Sequence, residues 1–257
     1  MLHLRRDGRK TLSIFVTAGY PSMGATVPLT IALKKAGADL IELGLPFSDP
    51  IADGPTIQKS SEIALRNGVT IKKTLSIAGE IRRHSDVPLV LMGYANPIFS
   101  FGMERFLSAS REVGVDGTII ADLPLEESED YRRLASRFGI STIFLATPTT
   151  PDERLVQLDD CSTGFLYCVS VSGVTGERPG LENQTLTFLK RTKALVKKNP
   201  LLVGFGIATP EDARQISMFS DGVIIGSALI KMLNSTPDDH IAECACDFVR
   251  SMRIALG

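Results

Sequence analysis

Histidine and cysteine, which most protein metal centres and many nucleophilic active sites require, are scarce in this sequence. Its 257 residues include three histidines, His3, His84 and His240, spread along the chain, and four cysteines without a C-x-x-C pair. A structural zinc site needs closer clustering of such ligands, and a Ser-His triad has few candidates. We therefore interpret the cysteines as small buried hydrophobes in a reducing compartment and predict no metal site.

A surplus of charge and a long apolar run are also missing. Lysine and arginine total 28 against 29 acidic residues, a net charge of -1, which gives no reason to expect nucleic acid or an anionic membrane as partner. No apolar run approaches the roughly 18 residues of a membrane span. Basic residues up to Lys10 followed by the apolar Thr11–Ala18 imitate a signal peptide, but that short stretch suits a first strand equally well. We expect a cytoplasmic protein, or one of the plastid stroma in a plant or alga.

Apolar, strand-like segments alternate with helical patterns from Thr11 onward, without a linker or low-complexity tract between them. This alternation favours a closed (β/α)8 barrel over an open doubly wound sheet, and no G-x-G-x-x-G follows the first strand. The length suits one barrel domain over residues 1–257. The predicted strands are Ser13–Thr17, Asp39–Gly44, Pro88–Gly93, Gly117–Ala121, Ser141–Ala146, Phe165–Val169, Leu201–Phe205 and Gly222–Gly226.

Two predicted helices are additional to the eightfold pattern. Pro55–Arg66 lies in the connection after the second strand, and Ser227–Leu233 follows the eighth strand, where barrels of this type bind phosphate. Capping boxes with proline at the first helical position are predicted to begin helices at Thr150 and Thr209, and a further helix is predicted over about Gln184–Lys198.

Two acidic residues near the end of the second strand are candidates for chemistry. Glu42 interrupts the apolar run Asp39–Leu45, where an isolated carboxylate costs several kcal/mol unless it is paired, solvated or protonated. A proline-rich connector then brings Asp53 near the same strand end. The alternatives remain open that Glu42 is a solvated strand-end residue and that Asp53 is an Asx-turn or helix cap.

Glycine-containing turns follow three late strands, at Ser172–Gly176, Gly204–Gly206 and Gly226–Ala228. Their backbone N–H groups, with the helix N-terminus at Ser227, together predict a phosphate site, although each turn alone is ordinary. The polar, glycine-rich stretch 171–183 is a candidate lid or a plain surface loop. Aromatic and apolar residues at strand ends suit either a flat substrate or barrel packing: Phe15, Tyr94, Ile120, Phe144, Tyr167 and Phe205.

The segment Glu42–Pro55 has the pattern E-L-G-x-P-F-S-D-P-x-A-D-G-P, which resembles the signature of the tryptophan synthase α subunit family. The resemblance extends from Leu12 to Leu256 and includes Phe15–Gly19, Tyr94–Pro97, Ala121–Pro124 and the three glycine turns. It implies a (β/α)8 barrel that cleaves indole-3-glycerol phosphate to indole and glyceraldehyde 3-phosphate. It also implies an α2β2 complex, in which the chain has no cofactor and indole passes to a β subunit that holds pyridoxal phosphate.

The resemblance implies roles for particular residues of this sequence. Glu42 corresponds to the general acid/base, and Asp53 to the acid that hydrogen-bonds the indole N–H. The loop Ser48–Pro50 and the lid correspond to surfaces that face the β subunit. The implied substrate-binding residues are Phe15, Tyr94, Tyr167, Thr175, Gly176, Phe205, Gly206, Gly226 and Ser227.

The N-terminus departs from the family pattern, because only about ten residues precede the first strand. The helix with which many relatives plug the bottom of the barrel is therefore expected to be shortened or absent. Three other functions stay open: a free-standing lyase of this family, a non-catalytic α-like chain that activates its β partner, and another phosphate-binding barrel such as a sugar-phosphate epimerase. The last of these usually requires a metal, for which clustered histidines are missing.

Overall fold

Eight parallel strands close into a barrel in the order of the chain, as the sequence predicts. The structure, a computed structural model, describes residues 8–169, 181–204, 206–237 and 240–257, with the side chains of 181–184 left out. The predicted strands are all present and differ from the observed ones by at most two residues at either end. The observed strands are β1 (Thr11–Thr17), β2 (Leu40–Gly44), β3 (Leu89–Gly93), β4 (Gly117–Ile120), β5 (Ser141–Ala146), β6 (Leu166–Val169), β7 (Leu201–Gly204) and β8 (Gly222–Ile225).

Eleven α-helices lie in the described ranges, and they cover the outside of the barrel. They are α1 (Thr26–Lys35), α2 (Pro55–Arg66), α3 (Ile71–His84), α4 (Ala95–Phe101), α5 (Met103–Glu112), α6 (Glu129–Phe138), α7 (Asp152–Cys161), α8 (Leu181–Leu195), α9 (Pro210–Ser217), α10 (Ser227–Ser235) and α11 (Ile241–Leu256). The predicted additional helices are confirmed as α2 and α10. A third, α4, was not predicted, because Pro97 resembles a loop signal although proline is tolerated in a first helical turn.

One of the two predicted capping boxes is wrong. Helix α7 begins at Asp152 with Pro151 as its N-cap, which supplies no side-chain cap. The Thr150 hydroxyl accepts instead from the N–H of Thr147, at 2.9 Å, within the preceding turn. The prediction failed because the same hydroxyl has two possible backbone donors, and the turn decides between them. Helix α8 also begins three residues earlier than predicted.

The capping box of α9 is confirmed in both directions. The Thr209 hydroxyl accepts from the Asp212 N–H, and the Asp212 carboxylate accepts from the Thr209 N–H at 2.8 Å. We expect Thr209→Ala to lower the free energy of unfolding by about 1 kcal/mol, because the helix loses the acceptor for one of its first N–H groups. Urea unfolding measures this loss, and Thr209→Ser serves as the control that keeps the hydroxyl. Equal losses in both variants would contradict a role for the cap.

Three aspartates close the bottom of the barrel, where the strands begin. Asp39, Asp116 and Asp221 each precede a strand, and each carboxylate accepts the N–H of a leucine in the preceding strand at 2.8–2.9 Å. The backbone N–H of each aspartate donates in return to the carbonyl of the same leucine. A cation pairs with every one of these carboxylates: Arg253 with Asp39, Arg82 with Asp116, and Lys193 with Asp221. The backbone N–H groups at these strand starts, which would otherwise lack acceptors, are thereby hydrogen-bonded.

Strand register separates the side chains that face the interior from those that face the helices. Glu42 of β2 acts electrostatically on Tyr167 of β6, four strands away, so both side chains point into the barrel. Register then places Phe15, Met92 and Leu145 inside as well. The intervening residues Leu12, Ile14 and Val16 of β1 are buried on the opposite face, as a strand covered on both sides requires.

Candidate active site

Glu42 lies completely buried within β2, two residues before Gly44, the last residue of the strand. Its Oε1 accepts a hydrogen bond of 2.8 Å from the Ser13 hydroxyl of β1, and its Oε2 has no partner among the residues that the structure describes. Burial raises the pKa of Glu42 to about 8, against a smaller lowering by Ser13. The alternative of a solvated strand-end residue is therefore wrong.

Asp53 lies half-buried in the loop between β2 and α2. Its carboxylate accepts a hydrogen bond from the Tyr94 hydroxyl, which in turn accepts the Ala52 N–H at 3.1 Å. Burial raises the pKa of Asp53 to about 6, while the Tyr94 hydrogen bond lowers it. The N-cap of α2 is Gly54 without a side-chain cap, so Asp53 does not cap this helix. Tyr94 fixes the second carboxylate in place.

Tyr167 of β6 is affected by the charges of both acids. Burial raises the pKa of its hydroxyl, and the charges of Glu42 and Asp53 raise it further. The ring lies over Gly204, the last residue of β7, where a Cβ atom would be 2.3 Å from the Tyr167 hydroxyl oxygen. A side chain larger than hydrogen at that position would displace the ring. Tyr167 therefore lies inside the barrel near the carboxyl ends of the strands.

Phe15 of β1 lies between Glu42 of β2 and the end of β8. It pairs in register with Glu42. Its ring lies against Gly44, where an added Cβ would be only 2.5 Å from the ring. Phe15 also lies against Gly226, which follows β8: a Cβ added to Gly226 would be 3.2 Å from the Cβ of Phe15. An apolar ring is thus held within the site, next to Glu42 and Gly226.

The predicted phosphate end is described in part. Gly226 is the N-cap of α10, a helix of nine residues, and the exposed Ser227 is its first residue. Gly206, after β7, is exposed with φ +75°, a conformation that favours glycine. Thr175, Gly176 and Phe205, predicted to bind substrate, lie outside the described residues, as does the predicted lid up to residue 180.

The sequence did not single out Ser13, and it left two strand-end residues open between a substrate contact and barrel packing. Ile120 and Phe144 pair with outward-facing positions of neighbouring strands and pack toward the helices, so they do not line a substrate cavity inside the barrel. Ser13 lies two residues before Phe15 and so shares its interior face. Counting that alternation from Phe15 is the signal that identifies Ser13.

Neither a metal site nor a membrane span is found in the part of the chain that the structure describes. There, no group of three or more histidine, cysteine, aspartate or glutamate side chains is arranged to hold a metal ion. None of its helices combines the length and the apolar character needed to cross a bilayer.

A closed barrel that brings a buried acid, a second carboxylate and a helix N-terminus to the carboxyl ends of its strands has the arrangement of a (β/α)8 enzyme. The family model described as "Tryptophan synthase alpha chain" matches residues 1–253. The chain therefore belongs to the tryptophan synthase alpha chain family. Members are lyases that cleave indole-3-glycerol phosphate, and this is the reaction of the chain.

Bacterial relatives and solved structures agree with this assignment. The chain is 43% identical to the tryptophan synthase alpha chain of Geotalea uraniireducens over 251 residues, 98% of this chain and 94% of the relative. It is also 43% identical to that of Geobacter sulfurreducens over 254 residues, 99% and 96% of the two chains. The alpha chain structure from Legionella pneumophila has a TM-score of 0.88 at 38% identity, covering 99% of this chain and 94% of that one. A tryptophan synthase structure from Mycobacterium tuberculosis has a TM-score of 0.89 at 33% identity, covering 99% and 95%.

Proposed function

We propose that Glu42 transfers the protons in the cleavage of indole-3-glycerol phosphate and that Asp53 binds the indole N–H. The observation that carries this proposal is the buried Glu42 carboxyl group, which has one oxygen without a partner in the described structure. Retro-aldol cleavage adds a proton to the indole ring carbon that bears the side chain and removes one from the side-chain hydroxyl. A group that first donates and then accepts a proton balances the reaction.

Glu42 suits this role because its pKa of about 8 leaves it mainly protonated at pH 7. The protonated acid donates to the ring carbon, and the carboxylate that remains accepts the hydroxyl proton as the carbon-carbon bond breaks. The free enzyme then has its original proton inventory. Complete burial keeps bulk water away from the carboxyl group.

Asp53 has the complementary protonation state. Its pKa of about 6 leaves it mainly ionised at pH 7, and its side chain is held by Tyr94. Protonation of the ring carbon places positive charge on the indole nitrogen, which an ionised carboxylate at the N–H stabilises. Two carboxyl groups with separated pKa values thus take the acid and the anion roles.

The remaining site residues bind the two ends of the substrate. Phe15 and Tyr167 provide buried aromatic surface near the acids, with Phe205 and Tyr94 completing the indole pocket. Gly206, Gly226 and Ser227 bind the phosphate through backbone N–H groups and the N-terminus of α10, together with Thr175 and Gly176.

The chain works as the α subunit of an α2β2 complex and passes indole to a β subunit that holds pyridoxal phosphate. The exposed loop after β2 supports a partner surface, because Ile51 there is 81% exposed beside Asp53. Asp49 in this loop is an interface residue.

The proton transfers above need no cofactor within this chain. We propose that residues 1–257 form one domain in the cytoplasm, which accords with the β1–β8 closure and the bacterial relatives.

The proposal is tested by steady-state cleavage of indole-3-glycerol phosphate with the purified chain, alone and with a β subunit. We expect slow cleavage alone and strong stimulation by the partner. High activity without the β subunit would favour a free-standing lyase. No cleavage under either condition would favour a non-catalytic chain and would overturn the proposed roles of Glu42 and Asp53.

Asp53→Asn is expected to lower kcat/KM about 10²- to 10³-fold, because the amide cannot balance the charge on the indole nitrogen. Asp86→Asn is the matched control, since Asp86 is an exposed carboxylate that pairs with Lys34 away from the strand ends that carry the site. Activity of Asp53→Asn within a few-fold of the parent would remove Asp53 from the mechanism.

The pH profile of kcat/KM should be bell-shaped. Activity rises with pH through about 6 as Asp53 ionises, and falls through about 8 as Glu42 loses the proton that it must donate. Asp53→Asn should remove the acid limb and keep the alkaline one. A profile that is flat between pH 5 and pH 9 would contradict both assignments.

A further inference from the structure

A buried hydroxyl group on the strand next to Glu42 has no role in the chemistry above. Ser13 of β1 is 0% exposed, and its Oγ donates to Oε1 of Glu42 over 2.8 Å. Ser13 pairs in register with Leu40, whereas Glu42 pairs with Phe15. The hydroxyl therefore lies one interior layer closer to the barrel bottom than the glutamate, on the side away from the strand ends.

We propose that Ser13 is a positioning residue for the cleavage reaction: it holds Oε1 of Glu42, so that Oε2 is the oxygen that exchanges protons with the substrate. This inference rests on the proposed role of Glu42. It assigns different tasks to the two carboxyl oxygens, one bound by the protein and one without a partner among the described residues.

The hydrogen bond suits a group that changes its protonation state during turnover. When Glu42 is ionised, the Ser13 hydroxyl donates to a carboxylate oxygen. When the proton lies on Oε2, Oε1 is a carbonyl oxygen and accepts the same bond. The contact is therefore kept in both states and needs no rearrangement. A glutamate side chain has three rotatable bonds, and catalysis requires the reacting atom to be placed closely.

The surroundings of Glu42 leave Ser13 as its hydrogen-bond partner in the described structure. The in-register interior neighbours, Phe15 of β1 and Val90 of β3, are uncharged. The titratable groups that face this region are Tyr167 of β6 and Asp53 of the loop after β2. Burial raises the pKa of Glu42 and the Ser13 hydrogen bond lowers it, so removing the hydroxyl should raise it further.

The test is steady-state cleavage by Ser13→Ala across the pH range, in the presence of the β subunit. We expect kcat to fall about 10-fold, KM to stay within about 2-fold, and the alkaline limb to move to higher pH. Ser13→Thr, which keeps a hydroxyl group, should restore most of kcat and the parent limb. Ser110→Ala is the matched control, since it removes a fully buried hydroxyl from α5.

A double variant shows whether Ser13 acts through Glu42. If it does, Glu42→Gln/Ser13→Ala should cleave no more slowly than Glu42→Gln alone. A Ser13→Ala enzyme with the parent kcat and alkaline limb, beside an inactive Glu42→Gln enzyme, would overturn this inference and leave the proposed function intact. An active Glu42→Gln enzyme would overturn both.

Loss of folding in Ser13→Ala would not end the test. Ser13→Cys keeps the size of the side chain with a weaker donor, so it should show an intermediate kcat and a limb displaced in the same direction. Parent values of both quantities in a folded Ser13→Cys enzyme would also overturn the inference.

Discussion

Glu42→Gln is expected to abolish nearly all cleavage, with kcat lowered about 10³- to 10⁴-fold. Glutamine has almost the shape of glutamic acid, but its amide neither donates a proton to carbon nor accepts one from the hydroxyl, and both steps depend on this side chain. The KM for indole-3-glycerol phosphate should change little, because the aromatic and phosphate contacts remain. Cleavage within 10-fold of the parent would contradict the role of Glu42.

The same substitution should make the protein more stable than the parent, by an amount that grows as the pH rises. The pKa of Glu42 is about 8 in the folded chain against 4.5 as the ordinary value, so between these values the unfolded chain loses a proton that the folded chain keeps. The parent therefore loses stability with rising pH, by about 1.4 kcal/mol per pH unit. Glu42→Gln lacks this titration and should gain roughly 3 kcal/mol over the parent between pH 5 and pH 7.5.

Urea unfolding of parent and variant at several pH values measures this difference. Glu62→Gln is the matched control, because Glu62 is exposed and pairs with Arg66 one turn away on α2. The control should follow the parent at every pH. A constant difference between Glu42→Gln and the parent across the range would show that Glu42 is not held protonated. A more stable but inactive variant would show that the site costs stability for function.

Arg253→Ala is expected to lower the free energy of unfolding by about 3 kcal/mol. The Arg253 guanidinium of α11 donates to the Asp39 carboxylate at 2.8 Å and to the Lys10 carbonyl at 3.0 Å. The side chains of Arg253 and Asp39 are only 15% and 7% exposed. Removing one partner of a buried ion pair leaves the other charge uncompensated, at a cost of about 3–5 kcal/mol. Arg9, 2.7 Å from Asp39, keeps the expected loss near the lower limit.

Arg250→Ala provides the control on the same helix. Arg250 pairs with Asp247, and both side chains are more than half exposed, so its loss should be below about 1 kcal/mol. Urea unfolding of the two variants compares a buried with an exposed arginine in equivalent helical surroundings. Similar losses would show that the contacts of Arg253 with Asp39 and Lys10 do not stabilise the barrel bottom. Cleavage rates per folded molecule should be unchanged in both variants, since neither residue lies near the strand ends that carry the site.

Strand positions and the loop after β2 followed from the sequence because their causes are local. A strand between helices must be apolar on both faces, and prolines and glycines mark its ends, so the eight segments were recognised to within two residues. Glu42 was noticed because it interrupts an apolar strand, and the pattern Glu42–Pro55 pointed to both acids through its resemblance to the family signature. Helix α4 and the absent cap at Thr150 were missed where a local signal has two structural outcomes.

Tertiary structure alone decided which groups meet. Asp159 shows this clearly: its carboxylate accepts the backbone N–H groups of residues 197–199, about forty positions away, and no local pattern marks that contact. Ser13 and Glu42 are 29 residues apart, and their bond depends on the register of two strands. The pKa of Glu42 depends on burial by the whole barrel. Spacing along the chain predicts elements and motifs, whereas the proton affinity of a side chain is set by what packs around it.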